Sequence, residues 1–121
     1  MLSPDEFIEY QKFLISDVRE KLIPQTIYTS IVTKDLRENL NILDFGCGHG
    51  YVAMLLADLP LKGAHIYACD CDEECLDVLW GRIAHREIKN LTAFHILNYA
   101  QIYMPQWLPS IDHVFFSFSV S

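Results

Sequence analysis

The run Ile42-Leu-Asp-Phe-Gly-Cys-Gly-His-Gly50 does most to limit what this chain can fold into. Ile42–Phe45 reads as a short apolar strand and leads directly into three glycines at alternate positions. Tyr51–Leu59 then places Val52, Leu55, Leu56 and Leu59 at helical spacing, and Pro60 and Gly63 stop it. A glycine-rich turn between a buried strand and a helix has a specific use. Glycine lets the backbone pass close to a ligand, and the helix N-terminus presents N–H groups that have no intrahelical acceptor. In open parallel sheets such loops lie at the carboxyl ends of strands, where ligands bind at the switch in strand order.

The spacing narrows the ligand. It is G-x-G-x-G, with Tyr51 standing where the dinucleotide fingerprint would put its third glycine, and no Lys-Ser or Lys-Thr follows to make a P-loop. Asp70 comes twenty positions after Gly50, at the end of a second predicted strand, His65–Cys69. An acid there can accept hydrogen bonds from both hydroxyls of a ribose. Because it ends a strand, it is expected to be partly solvated.

The rest of the chain continues the alternation. Asp72 is placed to cap a long helix with Glu73 and Glu74 in its first turn, and Leu76, Leu79, Trp80 and Ile83 form the stripe expected to be buried. Leu91–Ile96 and His113–Phe118 read as third and fourth strands, separated by a loop from Asn98 to Ser110 that contains two prolines. Strands alternating with helices at this spacing indicate a parallel sheet with right-handed crossovers. Upstream, Ser3-Pro-Asp-Glu6 has the form of a capping box, and Phe7, Tyr10, Leu14, Val18 and Leu22 follow at helical spacing until Pro24. A second helix is expected over about Thr26–Glu38, with Ile27, Ile31 and Val32 inward and a break at Asn39-Leu-Asn41. The chain thus divides into a helical lead-in, 1–40, and a sheet-bearing domain, 41–121. Val114–Phe118 is apolar enough to read as a central strand buried on both faces. Nothing in the sequence supplies a further strand for its outer edge, which points to a homodimer or a partner chain there.

The net charge is -7, from 16 acidic and 9 basic residues, which argues against direct binding to a nucleic acid backbone. No apolar run is long enough to span a membrane. Cys47, Cys69, Cys71 and Cys75 are too clustered to staple a secreted fold, and no signal peptide precedes them, so a reducing cytoplasmic setting is expected. Paired C-x-x-C knuckles are absent, and no metal site is expected.

Ile42–Gly50 resembles the first motif of class I S-adenosylmethionine-dependent methyltransferases, and Ala68-Cys-Asp-Cys-Asp72 resembles their second. Leu91–Asn98 is similar to the strand whose end meets the adenine, with Asn98 where that family often has Asp. Ile111–Phe118 is similar to the fourth-strand motif, closest to the quinone and small-molecule branch. The resemblance covers about Asn41 to Phe118. It implies an α/β fold, a Rossmann-like parallel sheet of order 3-2-1-4 that stops after strand 4, preceded by two helices. It also implies S-adenosylmethionine as cofactor. Asp44 would anchor the loop and help hold the methionine end. Gly46, Gly48 and Gly50 would let the backbone approach the cofactor, with Phe45 and Cys47 also among the cofactor-binding residues. Asp70 would take the ribose, Cys71 would line the adenine pocket, and Asn98 with Tyr99 would meet the adenine edge. Ser117 would face the region of methyl transfer.

The resemblance implies transfer of a methyl group to an unidentified acceptor, a small molecule being favoured. The family's sheet has seven strands, so catalysis by these four alone does not follow. A non-catalytic S-adenosylmethionine-binding or scaffolding module that pairs with a partner chain is the alternative, and an NAD-type oxidoreductase domain a weaker third. No catalytic residue is assigned. Methyl transfer from a sulfonium needs mainly alignment, and His49, His65, His95 and His113 are candidates by chemistry only.

Overall fold

The structure is a computed structural model and describes residues 3–5, 17–100 and 104–117. It divides into two compact units, Met1–Leu36 and Arg37–Ser121.

In the first unit, helix α1 spans Asp17–Lys34. It corrects two expected boundaries: α1 runs through Pro24 instead of stopping there, and it ends at Lys34, short of Glu38. Proline lacks an N–H, so its place in the helix forgoes one i to i−4 bond. Ile31 is fully buried, as its spacing predicts, and Ile27 and Val32 are half-buried. Glu6, which would close the capping box, and Phe7, Tyr10 and Leu14 lie outside the described residues.

The second unit is built on four parallel strands: β1 (Asn41–Phe45), β2 (His65–Asp70), β3 (Leu91–His95) and β4 (His113–Phe116). Their order is β3-β2-β1-β4, as the sequence motifs imply. The register sets Asp44 beside Ala68 and Phe115, and Phe45 beside Cys69 and Phe116. On the far side, Asp70 stands beside His95. β1 lies between two strands and is buried along nearly its whole length. Two helices cross the sheet, α2 (Tyr51–Asp58) and α3 (Glu73–His85).

Local chemistry explains where α3 starts. The Asp72 carboxylate accepts the N–H groups of Glu74 at 3.0 Å and Cys75 at 3.2 Å, and these bonds hold its pKa below the usual carboxylate value. Leu76 and Leu79 are fully buried and Ile83 half-buried. Trp80 departs from the expected stripe. It is exposed, because its indole N–H needs an acceptor and finds the Ala93 carbonyl of β3 at 3.0 Å. In α2 the buried positions are Ala53 and Leu56, whereas Val52, Leu55 and Leu59 are only half-buried. β4 also departs from expectation. Val114 and Phe116 are exposed while His113 and Phe115 are half-buried, so the strand alternates where burial on both faces was expected.

Candidate functional site

The carboxyl ends of β1 and β2 carry the two acids buried among the described residues, Asp44 and Asp70. Between them runs the glycine loop. Gly46 and Cys47 both donate their N–H groups to the Cys69 carbonyl, at 2.9 and 3.0 Å, which folds the loop back onto the end of β2. Gly50 donates to the Cys47 carbonyl at 2.9 Å and serves as the N-cap of α2. Gly46, Gly48 and Gly50 have φ of 76°, 54° and 89°, in the left-handed region that side chains disfavour. Gly50 carries a second constraint. A Cβ there would stand 2.2 Å from the Leu79 Cδ1 of α3, so this glycine serves close packing between the loop and α3.

Asp44 is 0% exposed. One oxygen, Oδ1, accepts a short hydrogen bond from the Ser117 hydroxyl, and Oδ2 has no hydrogen-bond partner among the described residues. Burial pushes its pKa up to about 6; the Ser117 hydroxyl and the nearby Ala53 N–H oppose this, and the neighbouring Asp70 charge adds to it. Ser117 is held at the end of β4 by its N–H, which donates to the Phe45 carbonyl at 3.0 Å.

Asp70 is 1% exposed, against the expectation of a partly solvated acid. The reason is a full set of donors. Gly48 N–H reaches Oδ2 at 2.8 Å, and Asp72 N–H and the Tyr99 hydroxyl both reach Oδ1 at 2.9 Å. The glycine loop, the start of α3 and the segment after β3 therefore converge on one carboxylate.

The other residues singled out in the sequence fall around this pair. Phe45 and Cys47 are buried, and the Cys47 thiol donates to the Gly48 carbonyl at 3.7 Å. Burial, with the Asp44 and Asp70 charges, pushes the Cys47 pKa far up; burial also raises Cys69, to about 12, so both stay neutral thiols. Cys71 packs against the cluster of Leu43, Phe45, Cys69, Phe94 and Ile96. Its carbonyl lies 3.1 Å from His95 Nε2. Asn98 is exposed and uses its side chain locally, accepting the Ala100 N–H at 2.9 Å as a turn former does. Among the described residues no group of three His, Cys, Asp or Glu side chains is arranged to hold a metal ion.

Two partnerships at the site have no local signal in the sequence. Ser117 meets Asp44 across 73 positions, and Tyr99 meets Asp70 across 29. The fourth-strand motif points to Ser117, but only the parallel register brings it to the end of β1.

No family model and no curated protein matches the sequence. Solved structures do match the fold. A SAM-dependent methyltransferase from Aquifex aeolicus aligns over 79% of this chain and 48% of its own, with a TM-score of 0.53 and 23% identity. A protein-L-isoaspartate O-methyltransferase aligns over 75% of this chain and 27% of its own, with a TM-score of 0.58 and 15% identity. PKMT2 from Rickettsia typhi, solved in complex with AdoHcy, aligns over 63% of this chain and 14% of its own, with a TM-score of 0.50 and 14% identity. The chain spans less than half the length of each. With β1 at the switch in strand order and the glycine loop at its carboxyl end, this chain has the Rossmann-like fold of the class I SAM-dependent methyltransferases.

Proposed function

We propose that this chain binds S-adenosylmethionine and supplies the cofactor-binding part of a methyltransferase. The observation that carries this reading is the Asp44 carboxylate, buried beside the glycine loop with Oδ2 lacking a donor among the described residues. A buried carboxylate oxygen without a donor is costly, and a cationic ligand group relieves that cost. The ammonium of the methionine moiety has this chemistry. Asp70 fits the other end of the same ligand, since it already accepts a hydroxyl, that of Tyr99, as it would accept a ribose hydroxyl. In this reading Phe45, Gly46, Cys47, Gly48 and Gly50 form the floor of the site. Cys71 and Asn98 lie towards the adenine, and Ser117 lies beside the methionine end.

The cofactor would supply an electrophilic methyl group on its sulfonium. The work of the chain is to hold that group in line with the acceptor, and positioning is the main requirement for such a transfer. A small-molecule acceptor in a cytoplasmic setting is the favoured context. The net charge of -7 speaks against a nucleic acid backbone, all four cysteines are free thiols, and no described helix is long and apolar enough to cross a membrane. A second reading, a binding module completed by a partner chain, draws support from the exposed Val114 and Phe116 on β4. Calorimetric titration separates the cofactor reading from a dinucleotide one. S-adenosylmethionine or S-adenosylhomocysteine should bind at least about tenfold more tightly than NAD, a difference of about 1.4 kcal/mol. A preference for NAD would overturn the assignment.

A further inference from the structure

Among the described residues Asp70 has three donors, and they are not equally fixed. Gly48 N–H is part of the glycine loop, and Asp72 N–H is part of the N-cap of α3. Neither can leave Asp70 without unmaking its own element. The Tyr99 hydroxyl differs. It belongs to a side chain in the loop after β3 that is 44% exposed, and its ring touches Phe45 at a centroid distance of 6.0 Å and an interplanar angle of 59°. A half-exposed ring reached by side-chain torsions can turn towards solvent while the backbone stays in place.

We infer that Tyr99 is a built-in plug for Asp70, its hydroxyl holding the place that a sugar hydroxyl of the ligand must take before the ligand can bind. This rests on the reading above, in which Asp70 receives the ribose. The plug solves a physical problem. Without it, a carboxylate that is 1% exposed would keep an underused acceptor in a dry site, which is expensive. With it, the acceptor is satisfied until another hydroxyl replaces the phenol. Burial, the hydrogen bond to Asp70 and the neighbouring Cys71 side chain push the Tyr99 pKa up, so the phenol remains a donor across the physiological range. The exchange also confers selectivity. A ligand that displaces Tyr99 without offering its own hydroxyl leaves Asp70 short of a donor, whereas a ribose restores the count. The apparent affinity of the wild type is the intrinsic affinity reduced by the fraction of molecules in which Tyr99 has swung out.

The test is calorimetric titration of S-adenosylhomocysteine into the wild type and Tyr99→Phe. Phenylalanine retains the ring against Phe45 and removes the hydroxyl, with its bond to Asp70 and its contact with the Cys71 side chain. The variant should bind roughly five- to tenfold more tightly, the factor by which the closed population lowers the wild-type affinity. In the wild type, NMR of ring-labelled tyrosine should show the Tyr99 signals moving to solvent-like positions as the ligand saturates. If the wild type binds S-adenosylhomocysteine but Tyr99→Phe binds equally or more weakly, the plug is overturned and the cofactor reading stands. Tyr99 signals that stay in place at saturation overturn it in the same way, independently of how the variant folds. If S-adenosylhomocysteine binds neither protein, the cofactor reading falls, and the plug falls with it.

Discussion

Phe45 and Phe116 are register partners on β1 and β4, and their rings meet edge-on at 5.8 Å. Yet Phe45 is 7% exposed and Phe116 is 68% exposed. The same residue type, at paired positions in neighbouring strands, has opposite environments. β1 is bordered by β2 and β4, whereas β4 pairs with β1 alone among the described residues. Apolar composition brings a strand into a sheet, and strand order then decides how deeply it is buried.

The largest expected effect comes from testing that contrast directly. Phe45→Ala should cost about 3–5 kcal/mol and Phe116→Ala about 1 kcal/mol or less, read by urea denaturation at constant m-value. Equal costs would mean that β4 is covered in solution. Next comes Gly50→Ala, expected to cost about 2–4 kcal/mol. The added methyl meets the buried Leu79 side chain and also forces a positive φ on alanine. A loss near that of an ordinary surface change would remove the packing explanation for this glycine. Asp70→Ala follows at about 2–3 kcal/mol, because it strands the Gly48 and Asp72 N–H groups. An unaltered melting temperature would show that those bonds are not holding the loop.

Asp44 gives the opposite sign. Its folded pKa of about 6 lies above the ordinary carboxylate value of 3.8, so between those pH values the folded chain binds more protons than the unfolded one. The contribution of Asp44 to stability is therefore greatest below about pH 4, declines as the pH rises to about 6, and is flat above that. The total decline is on the order of 3 kcal/mol. Asp44→Asn should remove this slope and stabilise the chain at pH 7 by about 1–3 kcal/mol, while weakening S-adenosylhomocysteine binding. Thermal melts of both proteins from pH 4 to 7 check it; parallel curves would place the titration elsewhere. The smallest stability effect belongs to Phe116→Lys, within about 0.5 kcal/mol. Its signature is in association: light scattering over a dilution series should show less self-association than the wild type. No change would mean that the exposed face of β4 is not sticky.

The sequence by itself determined the features that a few neighbouring residues can enforce. Asp72 with Glu73 and Glu74 starts α3, the glycines at 46, 48 and 50 take positive φ, and apolar runs mark four strands close to their observed limits. It also placed the two acids at the ends of β1 and β2, since strand ends follow from local pattern. Only the tertiary structure decided what those acids touch. Ser117 on Asp44, Tyr99 on Asp70 and Leu79 behind Gly50 all depend on register and loop path across tens of residues. The same holds where local rules failed. α1 runs through Pro24, Trp80 is drawn out of its stripe by the Ala93 carbonyl, and Asp70 is buried because three separate segments bring it donors. Propensity and capping act within a turn or two of the chain, whereas burial and hydrogen-bond satisfaction are settled only once distant segments have come together.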